Sequence, residues 1–237
     1  MRATSDWKTD IKGEQIVSSW LDKKFYQVLK EKNAIKDFHR TSDMNNQLQG
    51  VDIKILFNDN TISFADEKVQ LERINKPTPT QCLELYSGKN KIGWFLNKNN
   101  ITSHYLFFTL NCVQGKTKYN FTEQDILSMK CIFISKKVLY HVIRYVMGIT
   151  CNDLYKYIQK ANNGFFDEKR DYNGDGKYNG YIYLPNGNMK IVKSLHKTET
   201  PVNLVIKMSV YEKYANYIFH IDNNCLIETK RNIIIRS

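Results

Sequence analysis

The sequence predicts an α/β protein, and three observations predict it. Gly50 to Gln70, GVDIKILFNDNTISFADEKVQ, reads as two alternating strands joined by a tight turn. Ile11 to Leu29 carries an apolar stripe at helical spacing. Tyr105 to Leu110, YLFFTL, is a continuous apolar run of the kind a sheet buries on both faces.

With 237 residues the chain can bury a substantial core, as one unit with an elaboration. Hydrophobic residues at 42% and charged residues at 25% are ordinary for a globular protein. A net charge of +11 favours a polyanionic partner, nucleic acid first. The abundance of Lys, Asn, Ile and Tyr also fits an AT-rich coding genome, so the charge supports nucleic-acid binding without deciding it. An acidic membrane surface is the alternative. No basic amphipathic helix with a lipid-facing stripe supports it, and no segment has the apolar length to span a bilayer. The five cysteines include no CxxC pair, which argues against a disulfide framework and a zinc ribbon. The N-terminal MRATSDWKTD lacks the apolar run of a secretory leader, so an intracellular, cytoplasmic protein is expected.

In chain order, Ile16, Val17, Trp20, Leu21, Phe25, Val28 and Leu29 form the stripe of the first helix, with Asp10 as its N-cap and Glu14 in its first turn. Asn33 to Gln49 reads as a polar loop in which Arg40 is the candidate for a phosphate contact. After Gln70, two prolines interrupt regular structure. A short strand follows at Cys82–Tyr86, and Lys91–Leu96 then leads through NKNNITS to the buried run at Tyr105. Thr122 with Asp125 makes a capping box, and Met129–Ser135 reads as a strand. Lys136–Met147 reads as a helix stopped by Gly148, and Thr150 caps another from Asn152 to Ala161. Lys136, Lys137 and Arg144 give these helices a basic side that would track a nucleic-acid backbone or simply be solvated.

From Asn162 the chain turns glycine- and asparagine-rich. Asp171 to Gly176 matches the first half of an EF-hand loop, but Ile182 stands at the twelfth position, so turn chemistry explains it. Gly180–Leu184 and Met189–Leu195 flank Pro-Asn-Gly-Asn as a hairpin. Val202–Met208 reads as a strand, Tyr211–Phe219 as a helix and Cys225–Ile235 as a terminal strand. This region is left to recognise substrate or to form a homodimer interface.

The chemistry lies in the Gly50–Gln70 hairpin. Alternation puts Ile62, Phe64, Asp66, Lys68 and Gln70 on one face of the second strand, a row that runs from apolar to charged. The turn brings Asp52 to the level of Asp66. Two carboxylates converging beside a lysine could bind a hard divalent cation while the lysine serves an attacking water or the charged transition state.

Asp52, then a strand turn, then Asp66-Glu67-Lys68 resembles the motif of the PD-(D/E)XK nuclease superfamily. Val51 stands where that name has proline, and Asp66 where glutamate is commoner. The later order LELYS, GWFL, HYLFF is similar to that of small phage and mobile-element nucleases. The resemblance implies a restriction-endonuclease-like core, with a mixed, mainly antiparallel central sheet flanked by helices, over residues 1–160. Residues 161–237 would then be a C-terminal α+β elaboration.

It further implies a Mg2+- or Mn2+-dependent deoxyribonuclease, an endonuclease on double-stranded DNA, phage-encoded and acting in the cytoplasm. Asp52 and Asp66 would hold the metal, with Glu14 from the first helix. Lys68 would position the water or stabilise the transition state, and Gln70 would hydrogen-bond the lysine, the water or a phosphate. Arg40, Lys136 and Lys137 would contact nucleic acid. The alternatives are an inactive nucleic-acid-binding module of the same fold, and an interaction protein whose charge reflects codon bias.

Overall fold

Period-two alternation produces the expected hairpin. The computed structural model describes residues 7–41, 50–87, 91–171, 176–197 and 199–231. In it β1 (Asp37–Arg40), β2 (Ile53–Leu56) and β3 (Ile62–Val69) form an antiparallel meander. Asn60 closes the β2–β3 turn with a left-handed backbone, φ 65°, which asparagine tolerates better than most residues. The Asp59 carboxylate accepts the Thr61 N–H at 2.9 Å and its hydroxyl at 2.6 Å.

The expected polar loop at Asn33–Gln49 is thus partly a strand. Phe38 turns toward the core and β1 pairs the free edge of β2. Residues 42–49 lie outside the described residues, as do most of the Asp171–Gly176 fragment and the chain beyond Arg231.

β3 lies beside β6 (His104–Cys112) in parallel. β7 (Ile126–Ser135), β12 (Tyr217–Asp222) and β13 (Leu226–Arg231) extend the sheet antiparallel. The result is a curled, mixed, seven-stranded sheet in the order β1-β2-β3-β6-β7-β12-β13. A separate antiparallel sheet has the order β5 (Lys91–Ile92), β4 (Thr80–Ser87), β11 (Val202–Lys207), β10 (Met189–Ser194), β9 (Tyr178–Tyr183), β8 (Glu168–Asp171). The protein is a mixed α/β protein.

Helix α1 (Trp7–Leu21) runs on through a π turn (Asp22–Tyr26) into a short helical end (Gln27–Glu31). Asp10 therefore lies inside the first turn, not at the N-cap, and takes the Lys118 ammonium at 3.1 Å. Val17, Trp20, Leu21, Phe25 and Tyr26 bury the predicted stripe against Ile53, Ile55, Ala65, Leu106 and Phe108. At Gly13 a Cβ would stand 2.4 Å from Leu71 Cδ1, so glycine lets α1 approach the chain just beyond β3.

Helix α2 (Lys136–His141) also continues as a π segment (Val142–Val146), and Gly148 ends it at φ 70°. Thr150 caps α3 (Cys151–Asn162) in a capping box with Asp153. Thr150→Ala should cost about 1 kcal/mol, seen as a lower urea midpoint with an unchanged slope. The helix expected at Tyr211–Phe219 is α4 (Met208–Tyr214) followed by β12. The switch has a cause: Asn216 Oδ1 accepts the Ser135 N–H at 2.7 Å, which docks the next residues as a strand beside β7.

The described parts of Met1–Thr78, Thr102–Ser135 and Ala215–Ser237 form one compact unit. Those of Pro79–Ile101 and Lys136–Tyr214 form the other. Residues 161–237 are divided between the units: β12 pairs β7 and β13 pairs β12 in the first, while β8 to β11 and α4 lie in the second. No helix among the described residues is long and apolar enough to cross a membrane.

Candidate active site

Asp52, just ahead of β2, is held from three sides. Its N–H donates to Ala65 O at 2.9 Å, and its carbonyl accepts the Thr41 N–H at 2.9 Å. Its carboxylate Oδ2 accepts the Glu67 N–H at 2.8 Å. Across the hairpin Asp66 is buried, only 4% exposed. Its Oδ1 lies 2.6 Å from Lys68 Nζ, and the lysine side chain is 39% exposed. The Asp66 carboxyl is pushed up to about 7, chiefly by burial. Lys68 opposes the rise, while the negative charge of Asp52 and a hydrogen bond shared between the two carboxyls add to it. Asp52 and Asp66 thus act on each other beside Lys68.

Burial pulls the Lys68 amine down, but Asp66 and then Asp52 and Glu14 outweigh it and hold the amine above its ordinary range. The lysine is therefore an ammonium at neutral pH. Glu14 faces solvent on α1. Its carboxyl is raised, first by partial desolvation and then by Asp52, with Lys68 acting in the opposite sense. Glu14 thus shares the field of the site from its rim. Among the described residues no three His, Cys, Asp or Glu side chains gather as a ready metal cage.

Gln70 follows the end of β3 with an extended backbone and leads a 3-10 turn, Leu71–Arg73. The row on β3 begins outside the core. Ile62 is 53% exposed because it stands beside the turn tip, and burial increases toward Asp66.

Arg40 does not point to solvent. Its Nη1 donates to Glu67 Oε2 and its Nη2 to Asp22 Oδ1, each at 2.6 Å, and its side chain is 26% exposed. Lys136 and Lys137 open α2 in the other unit, and Lys137 is exposed.

Glu67 is the residue that sequence reasoning undervalued. As alternation requires, it points away from Asp66. There its carboxylate, only 10% exposed, accepts the Tyr26 hydroxyl at 2.5 Å as well as Arg40. Glu67→Ala should therefore destabilise the fold by about 2–3 kcal/mol, measurable by denaturant titration. On the neighbouring strand His104 Nδ1 lies 2.7 Å from Ser63 Oγ and 2.9 Å from Ser103 Oγ, stacked on Phe133. Burial pushes this imidazole down to about 4, so it joins β3 to β6 as a neutral group.

The chain matches no protein-family model, no curated protein and no solved structure.

Proposed function

We propose that this protein is a metal-dependent nuclease that hydrolyses phosphodiester bonds in DNA, an endonuclease on a restriction-endonuclease-like core. The observation that carries the reading is the meeting of Asp52 and Asp66 beside the Lys68 ammonium. A first helix, a three-strand meander and a mixed sheet also accord with the resemblance.

Asp52 and Asp66 would hold Mg2+ or Mn2+, with Glu14 at the rim. Hard oxygen donors in this number suit magnesium, which keeps several waters and takes one or two carboxylates. A bound ion would polarise a phosphoryl oxygen and make water a better nucleophile. The remaining work falls to the chain. Lys68 is held charged, so it serves as a point charge and donor for the developing phosphorane, not as a base. Gln70, beyond the strand end, would orient the lysine, the water or a phosphate. Lys136 and Lys137 remain candidates for backbone contacts, with the second unit left for recognition or dimerisation. The protein would act inside a cell, as a phage-encoded enzyme would.

Calorimetric titration with Mn2+ tests the reading: wild type should bind, and Asp66→Asn should lose binding. Absence of binding by wild type would remove the metal centre. Affinity for non-specific duplex DNA should also fall steeply with salt. Six to ten phosphate contacts would mean a loss of about 10³–10⁵ between 50 and 200 mM. A flat response would assign the +11 charge to composition alone.

One observation favours the inactive nucleic-acid-binding module. Lys68 already compensates Asp66 at 2.6 Å, as an internal ion pair would. On that reading DNA binds and Mn2+ does not.

A further inference from the structure

We infer that Arg40 is a positioning residue for the acidic site, acting through Glu67 on Asp52 and on the register of β3. The inference rests on the metal-site reading above. All three guanidinium nitrogens are engaged. Nε donates to the Asp22 carboxylate at 3.0 and 3.1 Å, Nη2 to Asp22 Oδ1 at 2.6 Å and to Ser18 O at 3.4 Å, and Nη1 to Glu67. Binding a phosphate would mean abandoning two carboxylates, one of them almost buried.

The fork joins three elements of one unit. Ser18, Asp22 and Tyr26 belong to α1 and its π turn, Arg40 ends β1, and Glu67 lies on β3 between Asp66 and Lys68. Two routes lead from Arg40 to Asp52. The next residue, Thr41, donates its N–H to the Asp52 carbonyl, and Glu67 donates its N–H to the Asp52 carboxylate. Because side chains alternate on a strand, anchoring Glu67 on the helix side fixes the roll that aims Asp66 and Lys68 the other way. The same fork ties β3 to the helix that carries Glu14. A planar, five-donor guanidinium can span two carboxylates in this way; a lysine amine cannot.

The test compares Arg40→Lys, Tyr26→Phe and Lys30→Ala with wild type. Lys30→Ala breaks the Lys30–Asp37 pair at 2.9 Å, which joins the same helical segment to β1 but contacts none of the network. Mn2+ affinity is measured by calorimetry at a temperature where near-UV circular dichroism shows each variant folded, with thermal midpoints from the same preparations. Arg40→Lys should weaken Mn2+ binding about 10–100-fold and Tyr26→Phe about tenfold, the usual effect of losing a group that orients a ligand. Lys30→Ala should leave it unchanged even if the midpoint falls. Duplex DNA affinity in EDTA should stay within about twofold for Arg40→Lys, since affinity is spread over many phosphate contacts.

Arg40→Lys with wild-type Mn2+ affinity, whether it loses DNA affinity or only thermal stability, overturns the inference. If Arg40→Lys does not fold, Tyr26→Phe with wild-type Mn2+ affinity overturns it equally. Failure of wild type to bind Mn2+ is a distinct result that removes the metal reading and this inference with it.

Discussion

Asp66→Asn should abolish metal-dependent DNA cleavage, by about 10²–10³-fold at least, and should stabilise the protein above neutral pH. Both effects come from one buried carboxyl. In the unfolded chain it ionises near 3.8, and in the folded protein at about 7. Between those values the folded state binds the extra proton, so stability falls as pH rises through the window and stays lower above it. The displacement corresponds to on the order of 4 kcal/mol. Asparagine keeps the shape, can still accept from Lys68, and carries no charge to bury.

The variant should therefore melt several degrees above wild type at pH 8, with the gap closing as pH falls toward 4. A variant less stable than wild type at pH 8 would show that Asp66 is there to pair Lys68. The same carboxyl sets the pH dependence of metal loading. Mn2+ affinity should rise with pH up to about 7, where the proton no longer competes, and level off above.

Lys68→Ala should lower cleavage by about 10²–10³-fold while leaving Mn2+ binding intact at pH 8.5. The lysine is a donor and a charge, not a ligand, so the carboxylate pair survives its loss. One consequence follows from the sign of its effect. Lys68 lowers the Asp66 carboxyl, so without it that carboxyl rises further. The pH at which metal loads should then move upward relative to wild type. Loss of Mn2+ binding even at pH 8.5 would contradict this separation of roles.

The acidic cluster was legible in the sequence because it depends on a local pattern. Alternation over Val51–Phe57, an Asn-Asp-Asn turn and renewed alternation set the register that brings Asp52 to Asp66. The fate of Arg40 was not legible, since Asp22 is 18 residues away and Glu67 is 27 residues away. No periodic signal links such positions, and a polar stretch around an arginine reads as loop. The pairing of β3 with β6 was hidden for a similar reason: the chain between them forms β4 and β5 of the other sheet. Ile62 misled because its apolar character suggests a core position, while its place beside the turn tip exposes it. The interleaved units were equally out of reach, because the match of β12 to β7 is a matter of edge pairing and not of composition.

The most direct test of the nuclease reading is incubation of the purified protein with supercoiled plasmid DNA and Mg2+, with parallel reactions in EDTA and with Asp66→Asn. Nicked and linear products should form with wild type and Mg2+ alone. Intact plasmid in every lane, or cleavage that persists in EDTA or in Asp66→Asn, would contradict it.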